Sequence, residues 1–112
     1  MLLSVGCSTV EESSETSDFL CETDSITYKD DIVPILKANC YECHSEEEYA
    51  SKADGNLLEG YDAIKKKIDE GLVIGNINHE KGFIGMPYRR AQLDSCTRLI
   101  IMKWIENGAP NN

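Results

Sequence analysis

Three side chains capable of metal and thiol chemistry lie within the five residues Cys40-Tyr41-Glu42-Cys43-His44. On a helical turn, residues three and four apart share a face, so the two thiols lie side by side with the imidazole next to both. The thiols can add to the two vinyl groups of a haem as thioethers, while the imidazole supplies an axial nitrogen to the iron. The C-x-x-C-H spacing therefore predicts one covalently attached haem c, with Cys40, Cys43 and His44 as its attachment residues.

Two other kinds of site use a cysteine pair at this spacing. A closed zinc site needs four ligands, and neither a second C-x-x-C nor an H-x-x-x-H follows in the chain. A thioredoxin-type redox pair needs a preceding strand within a βαβ unit, whereas the residues before Cys40 have a helical pattern. Both alternatives fit the sequence less well than haem.

The second axial ligand decides whether the iron of such a haem carries electrons or binds small molecules. Met86 lies in Gly85-Met86-Pro87, where glycine and proline favour a loop that presents its thioether, a ligand that raises the reduction potential. His79 and an open or water-bound position are the alternatives. Met102 lies on the apolar face of a predicted helix, where a role in the core is expected. We predict His44 and Met86 as the iron ligands.

The next residues, Tyr88, Arg89 and Arg90, are predicted to contact the haem propionates by hydrogen bonds and ion pairs. A solvated arginine pair is the alternative for Arg89 and Arg90.

The composition limits the remaining possibilities. A chain of 112 residues allows one small domain with a modest core, which a buried haem would complete. A net charge of −9 argues against nucleic acid as a partner, and any partner attracted by charge is expected to be basic. No apolar run is long enough for a membrane-spanning helix.

The first 23 residues read as the remnant of a signal or lipid anchor followed by a tether. Leu3-Ser4-Val5-Gly6-Cys7 resembles a bacterial lipobox, which makes Cys7 a candidate for acylation and peripheral membrane attachment. Residues 8–18 are rich in Ser, Thr and Glu and suit a solvated linker. Cys21 and Cys96 form a candidate disulfide in the oxidising compartment where such haems are attached, and two free thiols are the alternative.

The hydrophobic pattern predicts an all-α fold. We expect helices over about residues 30–39, 61–70 and 94–107, with the haem motif directly after the first. A helical turn near residues 46–50 is expected inside the polar loop 45–60, residues 72–78 form a short helix or an extended stretch, and residues 82–90 form a loop. Pro34 falls within the first turn of its helix, Gly71 caps the second helix, and Asp94 or Ser95 caps the last.

Taken together, the Cys40-x-x-Cys43-His44 motif, Gly85-Met86-Pro87 and the closing segment 104–110, Trp-Ile-Glu-Asn-Gly-Ala-Pro, resemble a small bacterial class I c-type cytochrome. The resemblance covers about residues 24–112. It implies a small cytochrome c fold with crossing N- and C-terminal helices, ligation by His44 and Met86, and electron transfer rather than enzyme activity. It also places the chain on the periplasmic side of the cell envelope, with a redox donor and an acceptor as partners.

The chain departs from that family at two points. Ile32 and Leu36 replace a glycine and an aromatic residue at the helix crossing, so we expect a wider crossing filled by Trp104. The family's proline after the motif is missing, and a backbone carbonyl within residues 53–57 is expected to accept the second ring N–H of His44. A haem-based sensor with a displaceable sixth ligand is the alternative function.

Overall fold

The computed structural model describes residues 21–112, and within this range the fold is all-α with no strand, as predicted. The predicted anchor Cys7 and the tether, residues 8–18, lie outside the described residues. The elements are a π-helical turn Tyr28–Ile32, α1 Val33–Asn39, α2 Tyr41–His44, α3 Tyr49–Lys52, α4 Tyr61–Asp69, α5 Leu72–Ile77 and α6 Ser95–Glu106. Among the described residues, no helix has the length and apolar character needed to cross a membrane.

The first helix begins two residues before the predicted start and opens as a π turn. The Thr27 hydroxyl accepts a hydrogen bond from the Asp30 amide at 3.0 Å, and the Asp31 carboxylate accepts one from the Thr27 amide at 2.8 Å. These reciprocal bonds satisfy amides that a helix start leaves without partners. Pro34 lies in the first turn of α1, where its missing N–H costs least.

The other helix boundaries follow local signals. Gly71 has φ 79°, the left-handed conformation that ends α4, and residues 72–77 form a helix rather than an extended stretch. At α6, the Asp94 carboxylate accepts a hydrogen bond from the Thr97 amide at 2.7 Å, so Asp94 is the cap. The helical turn expected near residues 46–50 is present: the Tyr49 amide donates to the Ser45 carbonyl at 2.8 Å, and the chain continues into α3 at Tyr49–Lys52.

The core lies where the π turn meets α6. Trp104 is 1% exposed and stacks on Tyr28 with ring centroids 5.7 Å apart, while Tyr61 packs edge-on against Tyr28 at 5.4 Å. The Trp104 indole N–H donates to the Pro110 carbonyl at 2.9 Å, which satisfies its one polar atom. Ile32 is fully buried in the same cluster. Trp104 therefore fills the space where the π turn meets α6, as expected, whereas the wider crossing stays a prediction.

A disulfide joins Cys21 to Cys96 in the first turn of α6, with the two Cα atoms 5.5 Å apart. The predicted pairing is confirmed. The bond spans 75 residues and fixes the start of the described chain to the last helix.

Candidate functional site

The His44 ring is oriented by a backbone carbonyl. Its Nδ1 atom lies 2.6 Å from the carbonyl oxygen of Asn56. Because a carbonyl oxygen can only accept, Nδ1 must carry the proton, which leaves Nε2 as the nitrogen able to bind a metal. The acceptor lies within the expected stretch of residues 53–57, so that prediction is confirmed.

Asn56 is itself held in place from two sides. The Lys67 ammonium donates to the Asn56 side-chain oxygen at 2.8 Å, and the Asn56 amide group donates to the Ala53 carbonyl at 2.9 Å. The Leu58 amide also donates to the His44 carbonyl at 2.9 Å, which ties the following loop to the motif. The sequence alone gives no sign of this role for Lys67, because its bond to a loop 11 residues away leaves no local signal.

The two motif cysteines have free thiols, and both side chains are partly buried. The motif forms the short helix α2, in which the Cys43 and His44 amides both donate to the Cys40 carbonyl, at 3.2 and 3.0 Å. Burial raises the pKa of the Cys40 thiol to about 11, so this thiol is protonated at neutral pH. Neither thiol is consumed by a disulfide, which leaves both available for thioether bonds.

The loop that carries Met86, residues 82–90, is anchored to α5 and the residues after it. The Met86 amide donates to the Asn76 carbonyl at 2.9 Å, and the Gly85 amide donates to the Asn76 side-chain oxygen at 3.2 Å. His79, the alternative iron ligand, has its Nε2 atom 3.0 Å from the Met86 carbonyl oxygen. His79 thus supports the Met86 backbone through Nε2, which carries the proton of this contact and leaves Nδ1 as its unprotonated ring nitrogen.

Close packing also supports this Met86 loop. A Cβ atom on Gly75 would lie 2.3 Å from the Cζ atom of Phe83, so the phenyl ring rests directly on the Gly75 backbone. At Gly85, which has φ 92°, a Cβ atom would lie 3.5 Å from the His79 ring. The sequence indicated a loop here but not the role of Gly75, which sits inside a helix and looks like a weak helix position.

One ion pair connects the Met86 loop to the motif. Arg90 donates a hydrogen bond to the Glu42 carboxylate, and this arginine lowers the pKa of Glu42. Glu42 lies between the two motif cysteines, so the pair joins the segments that carry the two predicted iron ligands. Arg89 instead lies over the Tyr88 ring, 5.2 Å from its centroid. Both arginines were predicted to contact propionates, and those contacts stay predictions.

Within residues 21–112, no group of three or more His, Cys, Asp or Glu side chains is arranged to hold a metal ion. A haem iron needs no such group, because one or two protein side chains are enough to ligate it. The expectation of a core role for Met102 was wrong. Its side chain is 36% exposed and borders a cavity of about 340 Å³ between α5 and α6.

No family model matches this chain, and no curated protein or solved structure is significantly similar to it. The chemistry of the site must therefore be judged from its own residues. Two free thiols and an imidazole with Nδ1 protonated and Nε2 available are the donor set that a covalently attached haem requires. The residues present fit that group.

Proposed function

We propose that this chain is an electron carrier with one covalently attached haem c and His44 and Met86 as axial ligands. The observation that carries the proposal is the contact between His44 Nδ1 and the Asn56 carbonyl, because it fixes the tautomer that an axial ligand needs. The donor set and the anchored Met86 loop support the same conclusion.

When bound, the haem would supply one-electron redox chemistry between ferrous and ferric iron. The protein contributes the surroundings. Cys40 and Cys43 would hold the group covalently, and the Asn56 carbonyl would keep the His44 ring oriented and basic. Met86 would supply a thioether, a ligand that favours the reduced state. Its backbone is restrained by Asn76 and His79, which limits how far the side chain can move.

The same proposal covers location and partners. A disulfide between Cys21 and Cys96 suits the periplasmic side of a bacterial envelope, where covalent haem attachment also occurs in the proteins this chain resembles. Acylation at Cys7 would add a peripheral membrane anchor. The partners would be a redox donor and an acceptor, and the net charge of −9 favours basic docking faces on both. We propose no enzymatic step.

An optical spectrum of the oxidised and reduced protein, made in a host that attaches haem, tests the proposal. We expect a covalent haem spectrum with the weak sulfur-to-iron band, loss of that band in Met86→Ala, and its retention in the control Met102→Ala. Met102 suits the control because its thioether lies on α6 and is 3.6 Å from the Asn78 amide nitrogen. An unchanged spectrum in Met86→Ala would overturn the methionine assignment.

The sensor alternative predicts that an external small molecule can bind the iron readily. A stable thioether ligand blocks carbon monoxide, so the reduced protein should bind this gas slowly at neutral pH. Rapid binding would favour the sensor. A colourless protein whose mass equals that of its amino acids would reject both haem functions.

A further inference from the structure

We propose that Glu42 and Arg90 form a positioning pair that holds the Met86 loop against the haem attachment turn and so limits the release of Met86 from iron. This inference rests on the proposed haem function and assigns a role to two residues outside the ligand set. In this pair, Glu42 belongs to the attachment turn and Arg90 belongs to the Met86 loop.

The first argument is the pattern of hydrogen bonds around the loop. The Met86 and Gly85 amides bind Asn76, His79 binds the Met86 carbonyl, and the Gln92 side chain binds the Ile77 carbonyl. All of these contacts lead to α5 or the residues just after it. Within residues 21–112, Arg90 to Glu42 is the one hydrogen bond that joins the loop to the attachment turn, Cys40–His44.

The second argument is the rigidity of the two ends. Glu42 stands between Cys40 and Cys43 in the attachment turn. This turn is closed by two hydrogen bonds to the Cys40 carbonyl and is connected through His44 to the Asn56 loop. On the other side, the Arg90 amide donates to the Pro87 carbonyl at 3.1 Å, so the guanidinium belongs to the turn that follows Met86. A shift of that turn away from the motif must break the ion pair.

The third argument is exposure. The side chains of Arg90 and Glu42 are 52% and 61% exposed, and exposed ion pairs add little to folding stability. A pair of this kind matters mainly through the geometry that it restrains. We therefore expect its loss to change the behaviour of the ligand loop while the folded protein keeps its thermal stability.

The experiment compares the reduced wild-type protein with Glu42→Gln, Arg90→Gln and the charge-swapped double variant E42R/R90E. Arg89→Gln is the matched control, because this neighbouring arginine lies over Tyr88 instead. Two quantities are measured: the rate of carbon monoxide binding, which requires Met86 to leave, and hydrogen exchange of the amides of residues 82–90. We expect both rates to rise by about two- to fivefold in the single variants, the range that an exposed pair can supply. In the swapped variant both rates should return towards the wild-type values, and in Arg89→Gln both rates should equal those of the wild type.

The outcomes separate this inference from the proposed function. Single variants that match wild type in both rates would overturn the positioning role while leaving the proposed electron-carrier function intact. The same conclusion would follow if the swapped variant bound carbon monoxide and exchanged its amides as fast as the single variants. An equal increase in Arg89→Gln would show a general effect of loop charge and would also overturn it. Wild-type protein that lacks haem, or that binds carbon monoxide without any barrier, would overturn both proposals.

Discussion

His44 Nδ1 lies 2.6 Å from the carbonyl oxygen of Asn56, a residue whose own side chain is held by Lys67. The relationship sets the tautomer and the orientation of the imidazole through a backbone atom, which side-chain substitution cannot delete. The strength of this hydrogen bond instead depends on how firmly the loop that contains Asn56 is held. Lys67 is therefore the position at which this orientation can be weakened without changing a predicted iron ligand.

We expect Lys67→Met to raise the reduction potential. With the Asn56 side chain released, the hydrogen bond from His44 should weaken, the imidazole becomes a poorer donor, and ferric iron loses more stabilisation than ferrous iron. A tenfold loss of ferric preference corresponds to about 59 mV for a one-electron couple. Redox titration measures the shift. Lys66→Met is the control because it removes the same charge and, like Lys67→Met, a pair with Glu70, but leaves the bond from Lys67 to Asn56 in place. Equal potentials in the two variants would show that the bond from Lys67 to Asn56 plays no part in setting the reduction potential.

Removal of the disulfide should destabilise the fold without changing the haem site. In the chain-entropy model, a closed loop of 75 residues contributes about 4.5 kcal/mol to the free energy of unfolding. The variant Cys21→Ser with Cys96→Ser should therefore unfold at a lower guanidinium concentration while its optical spectrum stays unchanged. The reduced wild-type protein should behave like this variant. A midpoint unaffected by substitution and by reduction would contradict the expected stabilisation.

Asp94→Ala should cost about 1 kcal/mol through loss of the α6 cap, which for a domain of this size lowers the melting temperature by roughly 4 to 8 °C. The hydrogen bonds from Thr97 lower the pKa of Asp94. The cap therefore contributes its full stability above the unfolded-state pKa of aspartate and loses it as the pH falls through the lower folded-state value.

Asp94→Asn is the control for this pH dependence, because asparagine caps a helix without titrating. Thermal melts of the wild type and of Asp94→Asn should therefore give a difference in melting temperature that changes as the pH falls from neutral to acidic values. A constant difference across the whole range would mean that the carboxylate does not contribute through its charge.

Gly75→Ala should disturb the Met86 loop through Phe83. The added Cβ would meet the phenyl ring at 2.3 Å, so this exposed ring must leave its place on α5 and the fold should lose some stability. The sulfur-to-iron band should weaken as the loop shifts. Adding Phe83→Leu, which removes the clashing ring atoms, should recover much of the band. If the single variant keeps both its band and its melting temperature, this packing does not support the loop.

Much of the fold could be predicted from local signals in the sequence. The capping residue Asp94, the left-handed Gly71 and the apolar spacing of residues 61–69 act within a few residues of the chain, so the helices they define were predictable. The first helix was placed two residues late, because its π turn depends on hydrogen bonds with Thr27 and with Asn112, whose carbonyl accepts from the Lys29 amide at 3.0 Å. A contact between residues so far apart in the sequence has no local signature.

The sequence by itself determined the chemical groups: two thiols and an imidazole at the spacing of one helical turn, a methionine between glycine and proline, and a second cysteine pair. Tertiary structure decided what surrounds them. The Asn56 carbonyl, the Lys67 ammonium, Asn76 and the Glu42–Arg90 pair act over separations of about ten to fifty residues. Residue type and spacing fix reactivity because they are covalent and local, whereas orientation depends on which distant segments pack together, and packing is a property of the whole fold.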